Sequence, residues 1–274
     1  QPPPSGLSRR YEAKGGEADG LERRPEGEPL ARAAAKYGAA LAHAARMHRV
    51  IAEQGVPFEI EISVDETDSP TTLEEHAFIA LELQRLGVPV VSLAPRFVGR
   101  FEKGVDFRGD LDELRRTLEG HGRIARALGP YKLSLHSGSD KFSVYPLIME
   151  STDGLVHLKT AGTSYLEALR VAAVHDPALF REVLELARER FETDRASYLI
   201  GATLAAVPAG PSLLDDQLPG LLDDDDARQV LHVTFGSVLD AFRPRLLELL
   251  ARERETHEAM LERHFVRHLQ PFTR

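Results

Sequence analysis

Short apolar runs that alternate with amphipathic helical segments predict an α/β protein, and three observations favour a (β/α) barrel of the TIM type within that class. About six strand-like runs are separated by helices in strict alternation. GxGxxG, the P-loop GxxxxGK and GxSxG are all missing, which argues against a nucleotide-binding doubly wound sheet and a hydrolase elbow. Nearly every run ends in polar residues, as a barrel requires, because its chemistry collects at the C-terminal ends of the strands. Six strands are two short of a full barrel, which fits either a barrel whose N-terminal strands lie outside this chain or strands whose pattern is too weak to recognise.

Residues 1–29 are rich in Pro, Gly, Glu and Arg and nearly free of large apolar side chains. Such a composition cannot offset its ordering entropy by burial and reads as a linker or flexible loop. The expected barrel domain, with a C-terminal helix, then occupies residues 30–274. Leu30 to Gln54 carries Tyr37, Leu41, Ala45, His48 and Ile51 at helical spacing, and Gly55 ends it. FEIEISV, Phe58 to Val64, alternates as a strand with Glu59, Glu61, Ser63 and Asp65 on one side; burying those acids is costly unless they are paired or bind something. A helix follows, with Thr71 or Thr72 as N-cap, Glu74 and Glu75 in the first turn and Gly87 as stop.

Val88 to Ala94 is apolar apart from Pro89 and Ser92, the pattern of a strand covered on both faces. Leu111 to Leu128 is a charged amphipathic helix closed by Gly129-Pro130. Tyr131 to Leu135 alternates as a strand, stopped by Gly138. Gly154 to Lys159 reads as a further strand, and Thr163 to Val174 and Pro177 to Thr193 as helices. Tyr198 to Leu204 is a weaker strand, Val230 to Gly236 a short one, and a long helix runs from Ser237 to near His268.

With 274 residues, 42% of them hydrophobic, the chain can bury a sizeable core. A net charge of -9 argues against a phosphate-backbone binder, so no nucleic-acid partner is expected. No apolar run approaches a membrane span, and the N-terminus has no signal-peptide core; the expected setting is cytoplasmic, without a membrane partner. The absence of cysteine excludes disulfides and thiolate ligands, leaving His, Asp and Glu to hold any metal.

The polar strand ends supply the candidate site. Asp65 and Glu66 close the first strand, Arg96 follows the second, and His136, Ser137, Ser139, Asp140 and Lys141 follow the third. Lys159 and Thr160, and then His232, close later ones. Two histidines and an acid from different strand ends suit a catalytic divalent ion, with Glu66, His136 and His232 as the expected ligands. Mixed nitrogen and oxygen ligation favours Zn, Ni, Co, Mn or Fe. Arg96 suits a carboxylate, and Ser137, Ser139, Lys159 and Thr160 are further candidate substrate contacts. His157, in mid-strand, reads as packing, and His257, His264 and His268 as surface residues of the terminal helix. The Asp223–Asp226 run reads as a solvated helix-capping face.

The segments ISVDETDSPTTLEEHAFIALEL, SLAPRFVGRFEKGVDFRGD, LSLHSGSDKFSVYP, HLKTAGTSYLEALR and RQVLHVTFGSVL together resemble the tagaturonate epimerase family. The resemblance runs from about Phe58 to Leu239. It implies a metal-dependent (β/α)-barrel enzyme of hexuronate breakdown that interconverts D-tagaturonate and D-fructuronate. The family's chains are longer at the N-terminus. Epimerisation at C4, in ketose numbering, cannot proceed by simple enolisation, because that carbon is β to the ketone. Retro-aldol cleavage and re-addition is the favoured route, with Asp65 or Glu66 as base or ligand and Asp140 or Lys141 as proton donor or carboxylate anchor. The alternatives are a metal-dependent aldolase or sugar isomerase on the same barrel, and a non-catalytic sugar-acid-binding barrel.

Overall fold

A computed structural model of the chain describes residues 25–160, 162–198 and 200–273. Residues 1–24, most of the expected linker, lie outside this set. The described residues divide into two compact units. The first runs to Gly99 and adds Gly109–His136 and Pro146–Leu158; the second comprises Arg100–Arg108, Ser137–Tyr145 and the chain from Lys159 onward.

The first unit is built on four parallel strands, β1 (Glu61–Ser63), β2 (Ser92–Ala94), β3 (Lys132–Leu135) and β4 (Val156–Leu158), in the order β1-β2-β3-β4. Its helices are α1 (Gly27–Ala52), α2 (Leu73–Leu86), α3 (Leu111–Leu128) and α4 (Tyr145–Thr152), the last entered from Tyr145 of the second unit. The register sets Ile62 beside Leu93, Leu93 beside Leu133 and Leu133 beside Val156. Successive side chains point to opposite faces, so one face carries Ile62, Leu93, Leu133 and Val156 and the other Glu61, Ser92, Ser134 and His157.

Helix α2 starts where the sequence places it. Thr72 Oγ1 accepts the Glu75 N–H at 3.2 Å, Glu75 Oε2 accepts the Thr72 N–H at 3.0 Å, and Gly87 closes the helix at φ 68°. Helix α4 is an element that the sequence reading passes over.

Between α2, α3 and β3 lies a buried polar chain: the Nδ1 atoms of His76 and His121 are 2.8 Å apart, and His76 Nε2 is 2.7 Å from Tyr131 Oη. Burial pushes His121 down to about 4, and burial together with the neighbouring His121 holds His76 well below its ordinary value. Both rings are therefore neutral in the fold, whereas the unfolded chain protonates them below about pH 6.5. Their contribution to stability is complete above that pH and falls as the pH drops toward 4, by about 1.4 kcal/mol per pH unit for each ring. Urea midpoints at pH 7.5 and pH 5 should differ in that sense, and His121→Gln should shrink the difference; equal midpoints would refute the assignment.

The second unit is helical, with α5 (Ser164–His175), α6 (Pro177–Asp194), α7 (Asp225–Val233), α8 (Phe235–Arg252) and α9 (Arg254–Leu269). Its core joins Leu166, Leu169, Phe180, Leu184, Phe191, Leu222, Val230 and Val238. Here the structure corrects the sequence reading. The strand expected at Val230 to Gly236 is the end of α7 and the start of α8. Asp224 Oδ1 accepts the Ala227 N–H at 2.9 Å, and buried Ala227, Val230 and Leu231 recur at helical spacing, so capping and period outweigh the β-branched composition. No strand occurs among the described residues of 198–204. The long terminal helix is two helices broken at Glu253, where no glycine or proline marks the turn. His264 and His268 are buried, contrary to the surface placement expected of them. Among the described residues no helix is long and apolar enough to cross a membrane.

Candidate active site

The polar face of the sheet gathers the first set of functional side chains around Glu61. Its Oε1 lies 2.7 Å from His136 Nε2, and its Oε2 lies 2.6 Å from His157 Nδ1. Ser92 Oγ donates to Oε2 at 2.5 Å, and Ser134 Oγ lies 3.0 Å from His157 Nδ1. The other ring nitrogen of His136, Nδ1, is 3.3 Å from Asp65 Oδ1 and 3.4 Å from Ser63 Oγ. Ser63 Oγ also donates to Asp65.

Burial pushes the Glu61 carboxyl up, but hydrogen bonds from Ser92, His136, Ser134 and His157 outweigh it and hold the group down at about 2. Asp65 behaves in the same way: burial raises it, and His136 and Ser63 lower it further than burial lifts it. Both carboxylates are charged near neutral pH. Glu61 and Asp65, the partly buried acids of this stretch, are paired, whereas Glu59 is exposed.

The contact between Glu61 and His157 has a geometric consequence. Strands β1 and β4 are separated by two others, so on a flat sheet they would lie roughly 14 Å apart. Side chains from the two meet at 2.6 Å because the sheet curls around its polar face.

Glu61 and His157 are the residues that sequence reasoning missed. The alternation Glu61, Ser63, Asp65 was visible, but the pairing of Ser134 with His157 in the register was not. Of the ligands expected from the sequence, His136 sits in this cluster, Glu66 is exposed in the turn after β1, and His232 belongs to the second unit. Among the described residues no three His, Asp or Glu side chains form a group that could hold a metal ion. Arg96 is half-buried, its backbone N–H donating to Thr71 Oγ1 at 3.0 Å. Lys159 and Thr160 are exposed; the Lys159 carbonyl accepts the Gly138 N–H at 3.0 Å.

The loop from Ser137 to Tyr145 belongs to the second unit. Ser137 and Asp140 have φ of 51° and 59°, the left-handed region that non-glycine residues rarely occupy. Ser137 Oγ accepts from Lys103 Nζ at 2.9 Å. Asp140 is buried, 3.2 Å from the Arg228 guanidinium, and its N–H donates to His268 Nε2 at 3.0 Å. Lys141 is fully buried, and its Nζ donates to the carbonyls of Glu102 (2.8 Å), Val105 (2.5 Å) and Ser139 (3.0 Å). Burial pushes the ammonium down to about 8, so it is still charged near neutral pH. All three of its donors are taken. It ties the buried Ser139 and the segment 100–108 together, a different task from the proton transfer or substrate contact expected from its place in the sequence. The segment is anchored again at Glu102, which pairs with Arg100 and accepts from Gly201 N–H at 2.9 Å and Gln229 Nε2 at 3.0 Å.

A cavity of about 540 Å³ opens within this unit, lined by Lys103, Tyr165, Tyr198, His232, Phe235, Leu239, His257 and Leu261 among others. Burial, and then the charge of Lys103, lower His232 to about 4, so its ring is neutral. His232 Nδ1 and Tyr165 Oη are buried without a hydrogen-bond partner among the described residues.

Residues 5–272 match the family model described as tagaturonate epimerase. A tagaturonate/fructuronate epimerase of Thermotoga maritima is 45% identical over 239 residues, which cover 86% of this chain and 50% of that protein. A crystal structure of fructuronate-tagaturonate epimerase from Cohnella laeviribosi superposes with a TM-score of 0.93 at 36% identity, covering 98% of this chain and 57% of that one. A glycerol complex of the same enzyme gives 0.91. The chain thus spans about half the length of the relatives it matches. With the match extending over nearly all of its residues, the chain belongs to the tagaturonate epimerase family.

Proposed function

We propose that this chain forms part of an epimerase that interconverts D-tagaturonate and D-fructuronate at C4, with the Glu61, His136, His157 and Asp65 cluster as its acid–base centre. The carrying observation is the pair of imidazoles on one ionised carboxylate. Carboxylates held as low as Glu61 and Asp65 are weak bases near neutral pH. Histidine is the side chain suited to exchange protons there. His157, half exposed, takes the C4 hydroxyl proton, while Glu61 fixes the ring and balances its charge. The C3–C4 bond breaks, its electrons forming an enediolate on the ketone side, and C4 becomes an aldehyde. Rotation presents the aldehyde's other face, the bond reforms, and the proton returns to the C4 oxygen.

A divalent ion was expected from the sequence, but the described residues do not fit one as they stand. Both nitrogens of His136 are directed at carboxylates, and among the described residues no three His, Asp or Glu side chains form an ion-binding group. The steps above run through the chain's own residues.

The barrel is also part of this proposal. The unreversed order β1-β2-β3-β4 and the curl that lets β1 touch β4 are what an arc of a (β/α) barrel requires, whereas a doubly wound sheet reverses its order at a switch point.

Incubating the purified protein with D-tagaturonate in D₂O tests the reading. The expected result is D-fructuronate that keeps its C4 hydrogen and no accumulating three-carbon fragments. Deuterium at C4 would replace cleavage with direct deprotonation, free fragments would favour an aldolase, and no turnover would remove the epimerase reading.

A further inference from the structure

We infer that Arg96 is the anchor for the substrate's carboxylate, and so the residue that selects a sugar acid over a neutral ketose. The inference rests on the epimerase reading and adds to it the recognition of the charged end of the substrate. Every residue it uses lies in the first unit. Arg96 follows β2, and counting back by twos gives Ala94 and then Ser92, whose Oγ meets Glu61 on the polar face. Its neighbour Phe97 packs on the helix side of the sheet, with its ring 5.6 Å from that of His121 on α3. Alternation therefore turns Arg96 toward the polar face. Carrying the register two residues past Ser63 and Ala94 sets Arg96 level with Asp65, and carrying it three past Leu93 and Leu133 sets it level with His136.

The guanidinium is uncommitted. Among the described residues Arg96 makes hydrogen bonds through its backbone alone, and no ion pair or ring contact engages its side chain. That backbone is pinned: the Thr71 N–H donates to the Arg96 carbonyl at 2.8 Å, and the Arg96 N–H donates to Thr71 Oγ1 at 3.0 Å. Thr71 is itself buried, with Oγ1 3.2 Å from Tyr37 Oη. A fixed backbone under a free fork presents parallel N–H donors to a carboxylate. It also offsets the repulsion that the ionised Glu61 and Asp65 would exert on an anionic substrate. The spacing suits a hexuronate. Ser134 and His157 share a layer two residues before His136, so roughly 6.6 Å separates the layer of the base from that of the anchor. The C4 hydroxyl and C6 carboxylate of one substrate span that distance with a hydrogen bond at each end.

Calorimetry with D-tagaturonate and with D-tagatose, the neutral ketose that has a hydroxymethyl group in place of the carboxylate, tests this directly. The wild-type protein should prefer the acid. Arg96→Met should weaken tagaturonate at least about tenfold and leave tagatose unchanged. Arg96→Lys keeps the charge but loses the fork, and its affinity for the acid should fall between the two. Because the guanidinium has no partner within the fold, Arg96→Met should unfold in urea at the wild-type midpoint. Equal wild-type affinities for the two ketoses, undiminished tagaturonate binding in Arg96→Met, or a lowered midpoint in that variant would overturn the assignment. Arg96-dependent binding of the acid without any formation of fructuronate would instead leave the anchor standing and remove the epimerase reading.

Discussion

Glu61→Gln is expected to lower kcat for tagaturonate by about 10²–10⁴-fold, the range that a positioned acid–base group contributes. Glutamine preserves the shape of the side chain but not its charge. One carboxylate now serves both imidazoles, at 2.7 and 2.6 Å, and its ionised form orients each ring and balances a proton on either. An amide can offer one acceptor oxygen, so at least one ring loses its partner or must adopt the other tautomer. KM should change much less than kcat, because Glu61 acts through the histidines and not on the substrate's binding groups. NMR of the histidines supplies an independent readout: the imidazole resonances of His136 and His157, whose nitrogens lie 2.7 and 2.6 Å from the Glu61 carboxylate, should change position in the variant. A variant with wild-type kcat, or with unmoved resonances of both histidines, would sink the assignment.

Lys141→Met should destabilise the protein by roughly 3–5 kcal/mol, because it strips the partner from three buried carbonyls at once. Methionine fills similar space, so the loss is one of hydrogen bonding more than of volume. Unfolding in urea, followed by circular dichroism, measures it. A substrate-contacting lysine would behave in the opposite way, with unchanged stability and raised KM. Near-wild-type stability in Lys141→Met would therefore return this residue to the candidate substrate contacts.

These two residues also mark how far the sequence could be read. The HSGSDK stretch was recognisable as a polar strand end, and His136 does stand in a cluster with two carboxylates. Lys141, five residues on, is indistinguishable in the sequence from an exposed lysine; its burial follows from carbonyls at 102 and 105, brought in by a separate segment. Helix α2 was legible to its caps because both signals are local. The error at Val230 to Gly236 arose because VLHVTF has strand-forming composition while the deciding cap, Asp224, lies several residues upstream. His157 was read as packing because a single strand does not reveal its neighbours: only the register beside Ser134 and the curl of the sheet bring it to Glu61.

The left-handed backbone at Ser137 and Asp140 sets what this loop can tolerate before any chemistry is considered. Glycine and asparagine accept such a conformation at little cost, whereas valine, isoleucine and threonine are strongly disfavoured there. A mutational library over residues 137–140 should therefore recover small or amide side chains at the first and last of these positions even when selected for folding alone. A screen that scores only catalysis would mistake this backbone chirality for functional conservation.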